Sequence, residues 1–475
     1  MRTISLSLLL CGALLTAGCS VGKDYVKPQI TTPQAFKGWK IATPNDAKIG
    51  DKWWQEYNDA LLDSYMQAVD VSNQTLAKNA AAYRYALALV DATKAESMPT
   101  LGAGLSASSS HSAQSSVTKT IKSVDASLQA SWIPDIWGEV KRAVEANEAN
   151  AEAAKTDLAA ARLSIQVLLA QSYFQLRGLD SQSILLSKIL KDYTASLAII
   201  ENQYNAGIVV KTDLLTAAAA LKAVRAQISE LEIPRAQLEH SIAVLIGKNP
   251  SEFSIAKKAL YSEDALHPEG TSHISALDIP SILPSELLER RPDIASAERR
   301  MKAANAQIGV ADAAWFPQFG LSASVGTQAS TLADLISTPN LVWALGGSLS
   351  QAIFDGGVRE ANKKQAMANY DESVANYKQS VLMAFGQVED SLSALKSLKY
   401  ESEIQAQKLK LSEEMFNISK NQYNAGIVNE LNTMSAEANL FNDMLLQAEL
   451  QSRFMVTHAT LIGGLGGGWN SSKLP

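Results

Sequence analysis

Asn202-Gln-Tyr-Asn-Ala-Gly-Ile-Val209 occurs a second time, residue for residue, at Asn421–Val428. Chance does not account for such an identity in a chain of 475 residues, so the sequence reads as a tandem duplication. Leu186, Leu190, Tyr193, Leu197, Ile200 and Tyr204 approach the first copy in alternating steps of four and three, a coiled-coil seam. Leu214, Leu215, Leu221, Val224, Ile228 and Leu231 leave it on a second helix. Between them Gly207, like Gly426 in the other copy, stands where a helix stops, because glycine takes the left-handed C′ conformation without steric cost. Each copy is therefore expected to be the tip of a helical hairpin.

Outward from the tips the helices are long. The first is expected over 136–202 without a proline, and roughly 65 residues at 1.5 Å each make a rod of about 100 Å. The returning helix is expected over 213–246, with Pro234 kinking or interrupting it. In the second half, Val374, Tyr377, Val381, Phe385, Val388, Leu392 and Leu395 carry the same seam through 357–421. A last helix, 432–462, stops in the glycine-rich run Gly463 to Gly468 before Trp469. The shift that lays Pro317 on Pro99 also lays Gly356 on Gly138, Val358 on Val140 and Arg359 on Lys141. The two tips match after one further residue.

Upstream of each long helix the period changes from 3.6 to two. Leu101, Ala103, Leu105 and Ala107 alternate with glycine and serine, and Val124, Ala126, Leu128, Ala130 and Trp132 alternate with polar residues. Phe319, Leu321, Ala323 and Val325 mark a third such run, and Trp343, Leu345, Leu349 and Ile353 a fourth. Strands are thus expected within about 100–133 and 318–354, each near the roughly 9–11 residues of a tilted transmembrane strand. An exposed soluble hairpin has the same alternation, but small polar residues on the second face suit a water-filled lumen. Helices over 59–98 and 284–316 precede the two strand pairs. Residues 19–58, with Pro28, Pro33, Pro44, Tyr25, Phe36, Trp39, Trp53 and Trp54, read as an irregular arm laid on another surface. Residues 247–282, with Pro250, Pro268 and Pro280, read as a polar connection between a first repeat (59–246) and a second (283–462), and 463–475 as a tail.

Residues 1–18 carry Arg2 and a short apolar run from Ile4 to Leu15, the pattern of an export signal too short to span a bilayer. It ends at Leu15-Thr16-Ala17-Gly18-Cys19, which looks like a bacterial lipobox with Thr16 in place of the usual leucine. Cys19 is then the expected site of S-diacylglycerol and N-palmitoyl attachment; a plain secretory signal with an incidental cysteine is the alternative. Cys11 leaves with the signal, so no disulfide framework is expected. Beyond it no apolar run of helical spanning length follows, and any membrane crossing falls to strands. Net charge −6 argues against a nucleic-acid partner. The five histidines, His111, His240, His267, His273 and His458, are scattered, and the six-residue spacing of His267 and His273 lacks a cysteine partner. No metal, cofactor or catalytic residue is expected, and paired carboxylates such as Glu413 and Glu414 read as solvated charge on helices.

Four amphipathic strands cannot close a barrel, and lipid does not tolerate open edges. Two chains would give eight strands and a barrel plugged by its own side chains. Three would give twelve and a channel; a homotrimer is the expectation.

The chain resembles the TolC/OprM outer-membrane efflux family, and more closely its lipoprotein branch. The resemblance lies in GKDYVKP (22–28), WWQEYNDALLDSY (53–65), WIPDIWGEVKR (132–142) and ERRPDIASAERRMKAANAQIGVADAAWFPQFGLSAS (289–324). FDGGV (354–358), AFGQVEDSL (384–392) and LGGGW (465–469) complete it. It implies a mixed α and β fold: a trimer with a twelve-stranded barrel in outer-membrane lipid, continuous with a long periplasmic α-helical coiled-coil barrel, and a belt formed by 247–282 and the termini. It also implies an exit duct, not an enzyme, docked to a periplasmic membrane-fusion adaptor and an inner-membrane pump of the RND type. The tip residues Tyr204, Asn205, Gly207, Tyr423, Asn424 and Gly426 would meet the adaptor. Relatives often carry aspartate six residues after each tip glycine; here Asp213 keeps it, Asn432 does not, and Ser435 stands where another acidic residue can occur. The resemblance thus makes Asp213, Tyr423, Asn432 and Ser435 the gate, less acidic than in those relatives, with Asp213 and Tyr423 hydrogen-bonded between neighbouring hairpins. After the shared turn the copies diverge, Lys211-Thr212-Asp213 against Glu430-Leu431-Asn432. Small-molecule efflux is the leading reading. Protein secretion, metal efflux, or an envelope-spanning structural lipoprotein without a pore are the alternatives.

Overall fold

The computed structural model describes residues 21–37, 49–114, 117–260, 284–336 and 340–470. The signal segment with Cys19, most of the 247–282 connection with His267 and His273, and the last five residues lie outside the described residues. The helices are α1 (Ala60–Ser72), α2 (Gln74–Ala95), α3 (Glu139–Asn205), α4 (Lys211–Leu245), α5 (Leu287–Arg290), α6 (Pro292–Ala313), α7 (Val358–Asn424) and α8 (Glu430–Gly464). The strands are β1 (Thr100–Gln114), β2 (Val117–Trp132), β3 (Gln318–Ala329) and β4 (Leu341–Ser350). The two long helices, α3 and α7, have 67 residues each, and α4 and α8 have 35 each.

Several element bounds differ from those expected. The helix expected over 59–98 breaks at Asn73, whose backbone is extended. Its side-chain oxygen accepts from Thr75 N and Leu76 N, and its amide donates to Leu245 O, so the break is held by caps on one side and a buried bond on the other. The helix expected over 284–316 breaks at Arg291, again extended, because the ring of Pro292 excludes the α conformation from the preceding residue. Conversely, Pro234 does not interrupt α4. The next residue, Arg235, is held by Asp180 of α3 and by Ile255 O, and this tertiary grip carries the helix through the missing N–H. The fourth strand also ends at Ser350, leaving Ile353 beyond it.

Two compact units arise, and each draws segments from both halves of the sequence. The first comprises 1–30, 81–155 and 296–379. Its four-stranded antiparallel sheet has the order β1-β2-β3-β4, so the strands of the two halves pair directly. Its helical part is closely packed through small residues: Ala146, Ala149, Ala153, Ala303, Ala304 and Ala306 are all buried. Val21 N donates to Trp137 O, and the Arg142 guanidinium donates to Val21 O, Gly22 O and Asp24, pinning the start of the arm.

The second unit comprises 31–80, 156–295 and 380–475 and contains both tips. One core gathers Trp53, Trp54, Leu62, Met66, Tyr173, Phe174, Leu395 and Phe454, and Phe36 is buried in it too. A second core, nearer the tips in sequence, takes Leu186, Tyr193 and Ile200 of the seam with Leu221, Val224, Leu440 and Phe441. Gly178 interrupts neither core: a Cβ there would lie 2.5 Å from Ser452 Oγ, so the glycine lets α3 and α8 approach.

Candidate functional site: the sheet faces and the hairpin tips

The sheet register sorts the side chains into two unlike faces. Ala103, Leu128, Val325 and Trp343 form one row across all four strands, and Leu101, Ala130, Ala323 and Leu345 the next. On the opposite face the rows are Thr100-Ser131-Ser322-Gly346 and Gly102-Gln129-Ser324-Ala344. The apolar face is uncovered, with Trp343 71% and Leu345 76% exposed. Among the described residues, β1 and β4 each keep an unpaired edge. A sheet with a continuous exposed apolar face and open edges is unstable in water and suited to lipid once the edges are closed. No described helix is long and apolar enough to cross a membrane.

Both tips are built alike. Gly207 and Gly426 have φ of 75° and 72°. Ile208 N donates to Gln203 O and Gly207 N to Tyr204 O, and Ile427 N to Gln422 O and Gly426 N to Tyr423 O. This paired bonding is the Schellman stop, which satisfies the last carbonyls of α3 and α7. Ile208 and Ile427 follow, 72% and 71% exposed, so each tip presents one bare isoleucine beside exposed Asn205 and Asn424. Tyr204 is also exposed.

Past the turns the copies differ. α8 starts with Asn429, whose side chain accepts from Asn432 N, whereas Val210 caps α4 without a side-chain bond. Asp213 is half-buried in the first turn of α4, and Asn432 and Ser435 are exposed on α8, with the Ser435 hydroxyl donating to Leu431 O. Within the chain Tyr423 lies beside the Glu430 carboxylate and the Gln203 side chain. Burial, followed by the Glu430 charge and the bond to it, raises the Tyr423 hydroxyl above its ordinary pKa. Ser196 Oγ donates to Glu430 Oε1 at 2.7 Å. Glu430, buried at the start of α8, thus ties α8 to α3.

Ser196, Gln203 and Glu430 were not among the residues expected from sequence. Only the divergence at Glu430 signalled them, because the partners come together by packing and not by spacing. Among the described residues no group of histidine, cysteine, aspartate or glutamate side chains could hold a metal ion. His458 is fully buried and hydrogen-bonded to Tyr57.

Comparison with known proteins places this architecture. The pyoverdine export outer membrane protein OpmQ of Pseudomonas aeruginosa is 28% identical over 474 residues, covering 98% of this chain and 97% of that protein. The cation efflux system protein CusC of Escherichia coli K12 is 28% identical over 464 residues, covering 96% and 98%. The solved structure of the outer-membrane channel OprN superposes with a TM-score of 0.84 at 28% identity, covering 95% of this chain and all of that one. The family pattern described as "Outer membrane efflux protein" matches twice, at residues 66–248 and 283–467. With both matched segments spanning most of its length, the chain belongs to the outer membrane efflux protein family.

Proposed function

We propose that three copies of this outer-membrane efflux protein close their four-stranded sheets into one twelve-stranded barrel and form the exit duct of a tripartite efflux pump. The observation that carries this is the sheet itself. One face is apolar and bare, the other is mostly small and polar, and its two edges are unpaired among the described residues. Closure by identical neighbours satisfies both edges at once and turns the small polar face toward a lumen wide enough for solutes. The paired α3/α4 and α7/α8 hairpins, two copies of one duplicated unit, continue the wall into the periplasm. Six tips per trimer, each with an exposed isoleucine, would dock a periplasmic adaptor, which links the duct to an inner-membrane pump of the RND type.

In this reading Cys19 carries the lipid, and Asp213 meets Tyr423 of a neighbouring chain in the assembled tip, with Asn432 and Ser435 beside them. Relatives are named for pyoverdine export and for cation efflux, so the family as a whole serves unlike cargo. Small molecules are the proposed cargo, selected by the pump.

Purified full-length protein should migrate as a heat-dissociable trimer and conduct ions in a planar bilayer. Double substitution Asp213→Ala with Tyr423→Phe should raise the single-channel conductance. A monomeric, non-conducting protein would overturn the duct, and an unchanged conductance in the double variant would overturn the latch.

A further inference from the structure

The first turns of α8 carry an acidic face that the matching turns of α4 lack. Glu430, Thr433 and Glu437 stand one helical turn apart on α8, whereas Lys211, Leu214 and Ala218 occupy the corresponding places on α4. The α8 face is turned inward: Glu430 and Thr433 are buried, and Glu437 is half-buried. Across from it α3 supplies Asp192, Tyr193 and Ser196, and α7 supplies Lys420 and Tyr423. The Ser196 hydroxyl donates to Glu430. No such bond serves the Thr433 hydroxyl, which is buried without a partner. Glu437 therefore sits in a seam that already holds two carboxylates, Asp192 and Glu430, with Lys420 acting against them.

We propose that this seam is a proton-operated clasp: neutral Glu437 lets α8 close on α3, and ionised Glu437 drives the two hairpins of one chain apart. Burial, then the charges of Asp192 and Glu430, push the Glu437 carboxyl up from 4.5 to about 7, while Lys420 opposes them only partly. Burial and the Glu437 charge likewise raise the Tyr193 hydroxyl on the facing helix. Since the closed seam binds its proton more tightly than a solvated glutamate does, closure is strongest in acid. It weakens about tenfold per pH unit between the ordinary carboxylate range and about pH 7, and changes little above that. The matching turns of α4 carry Lys211, Leu214 and Ala218 where α8 has its acidic face. The clasp would make the tips of the proposed duct open more readily as the periplasm moves from acidic to neutral.

The link to an aperture rests on the proposed duct; the clasp itself does not, and the test separates them. Backbone amide exchange at 430–437, corrected for the intrinsic pH dependence of exchange, and bilayer conductance are measured on the full chain from pH 5 to 8. In the wild type, protection should fall about tenfold per pH unit up to about pH 7 and then level off, with conductance rising in parallel. In Glu437→Gln both should be flat, at the closed level. Asp192→Asn retains Glu437 but removes one repelling charge, so the response should shrink. Protection that titrates in Glu437→Gln as in the wild type, or a response unaltered by Asp192→Asn, overturns the clasp. Protection that titrates only in the wild type while conductance does not respond upholds the clasp and overturns its coupling to an aperture.

Discussion

Tyr173 of α3 donates its hydroxyl hydrogen to Asp59 at 2.6 Å, and the same carboxylate caps α1 through Leu61 N and Leu62 N. One side chain thus starts a helix and fastens it to the long helix beside it. Burial works to raise the Asp59 carboxyl, but the bonds from Tyr173, Leu62 and Leu61 outweigh it and hold the group below 3.8. A depressed carboxylate stabilises the fold above its unfolded pKa, and that contribution disappears as pH falls through the folded value. Asp59→Ala should cost about 1–2 kcal/mol as a lost cap, with more from the stranded Tyr173 hydroxyl. The variant should also lose part of the wild type's decline in stability below about pH 4. Urea unfolding at pH 7 and pH 3, with Tyr173→Phe as the second arm of a double-mutant cycle, checks both statements.

Asp180 is completely buried and accepts from Arg177 at 3.0 Å, Arg235 at 2.7 Å and Lys258 N at 3.1 Å. It joins α3 to α4 and to the chain that follows. Removing the anion leaves two guanidinium groups facing each other in a low-dielectric site. Asp180→Ala should therefore destabilise by about 3–5 kcal/mol, while Arg235→Lys, which keeps the charge but loses the fork, should cost less. Heat dissociation and urea midpoints measure the order.

Gly178 should not tolerate even a methyl group. An alanine Cβ would meet Ser452 Oγ at 2.5 Å and Ser452 Cβ at 2.6 Å, so α3 and α8 must separate to admit it. Gly178→Ala is expected to cost about 1–3 kcal/mol. Ser452→Gly, which clears the same space, should restore part of the loss in the double variant; a double variant no better than Gly178→Ala would refute the close-approach account.

The two sheet faces should respond oppositely to charge. Leu345→Arg places a cation in the exposed apolar row and should cost about 2–4 kcal/mol in lipid, depleting the protein from outer-membrane fractions. Ser322→Arg, its cross-sheet opposite in character, faces the proposed lumen. It should insert normally and alter ion selectivity in bilayers.

Much of this chain was legible because its signals are local. The eight-residue turn carries its own glycine and therefore its own stop, and the 3–4 steps named Leu186, Tyr193, Ile200, Tyr377, Val381, Val388, Leu392 and Leu395, all buried, beside Leu190, Leu197 and Phe385, which are half-buried. Period two marked the strands and their two faces within a few residues. Breaks at Asn73 and Arg291 are not marked by the apolar pattern although both are short-range events, since apolar spacing resumes just beyond each. Tertiary structure alone decided the rest. That Arg235 of α4 meets Asp180 of α3, that β2 pairs with β3 across the two halves, and that Glu430 takes Ser196 depend on side chains far apart in sequence. Spacing encodes which face of a helix is buried; it does not encode which other helix covers it, because that choice is made by the packing of the whole unit.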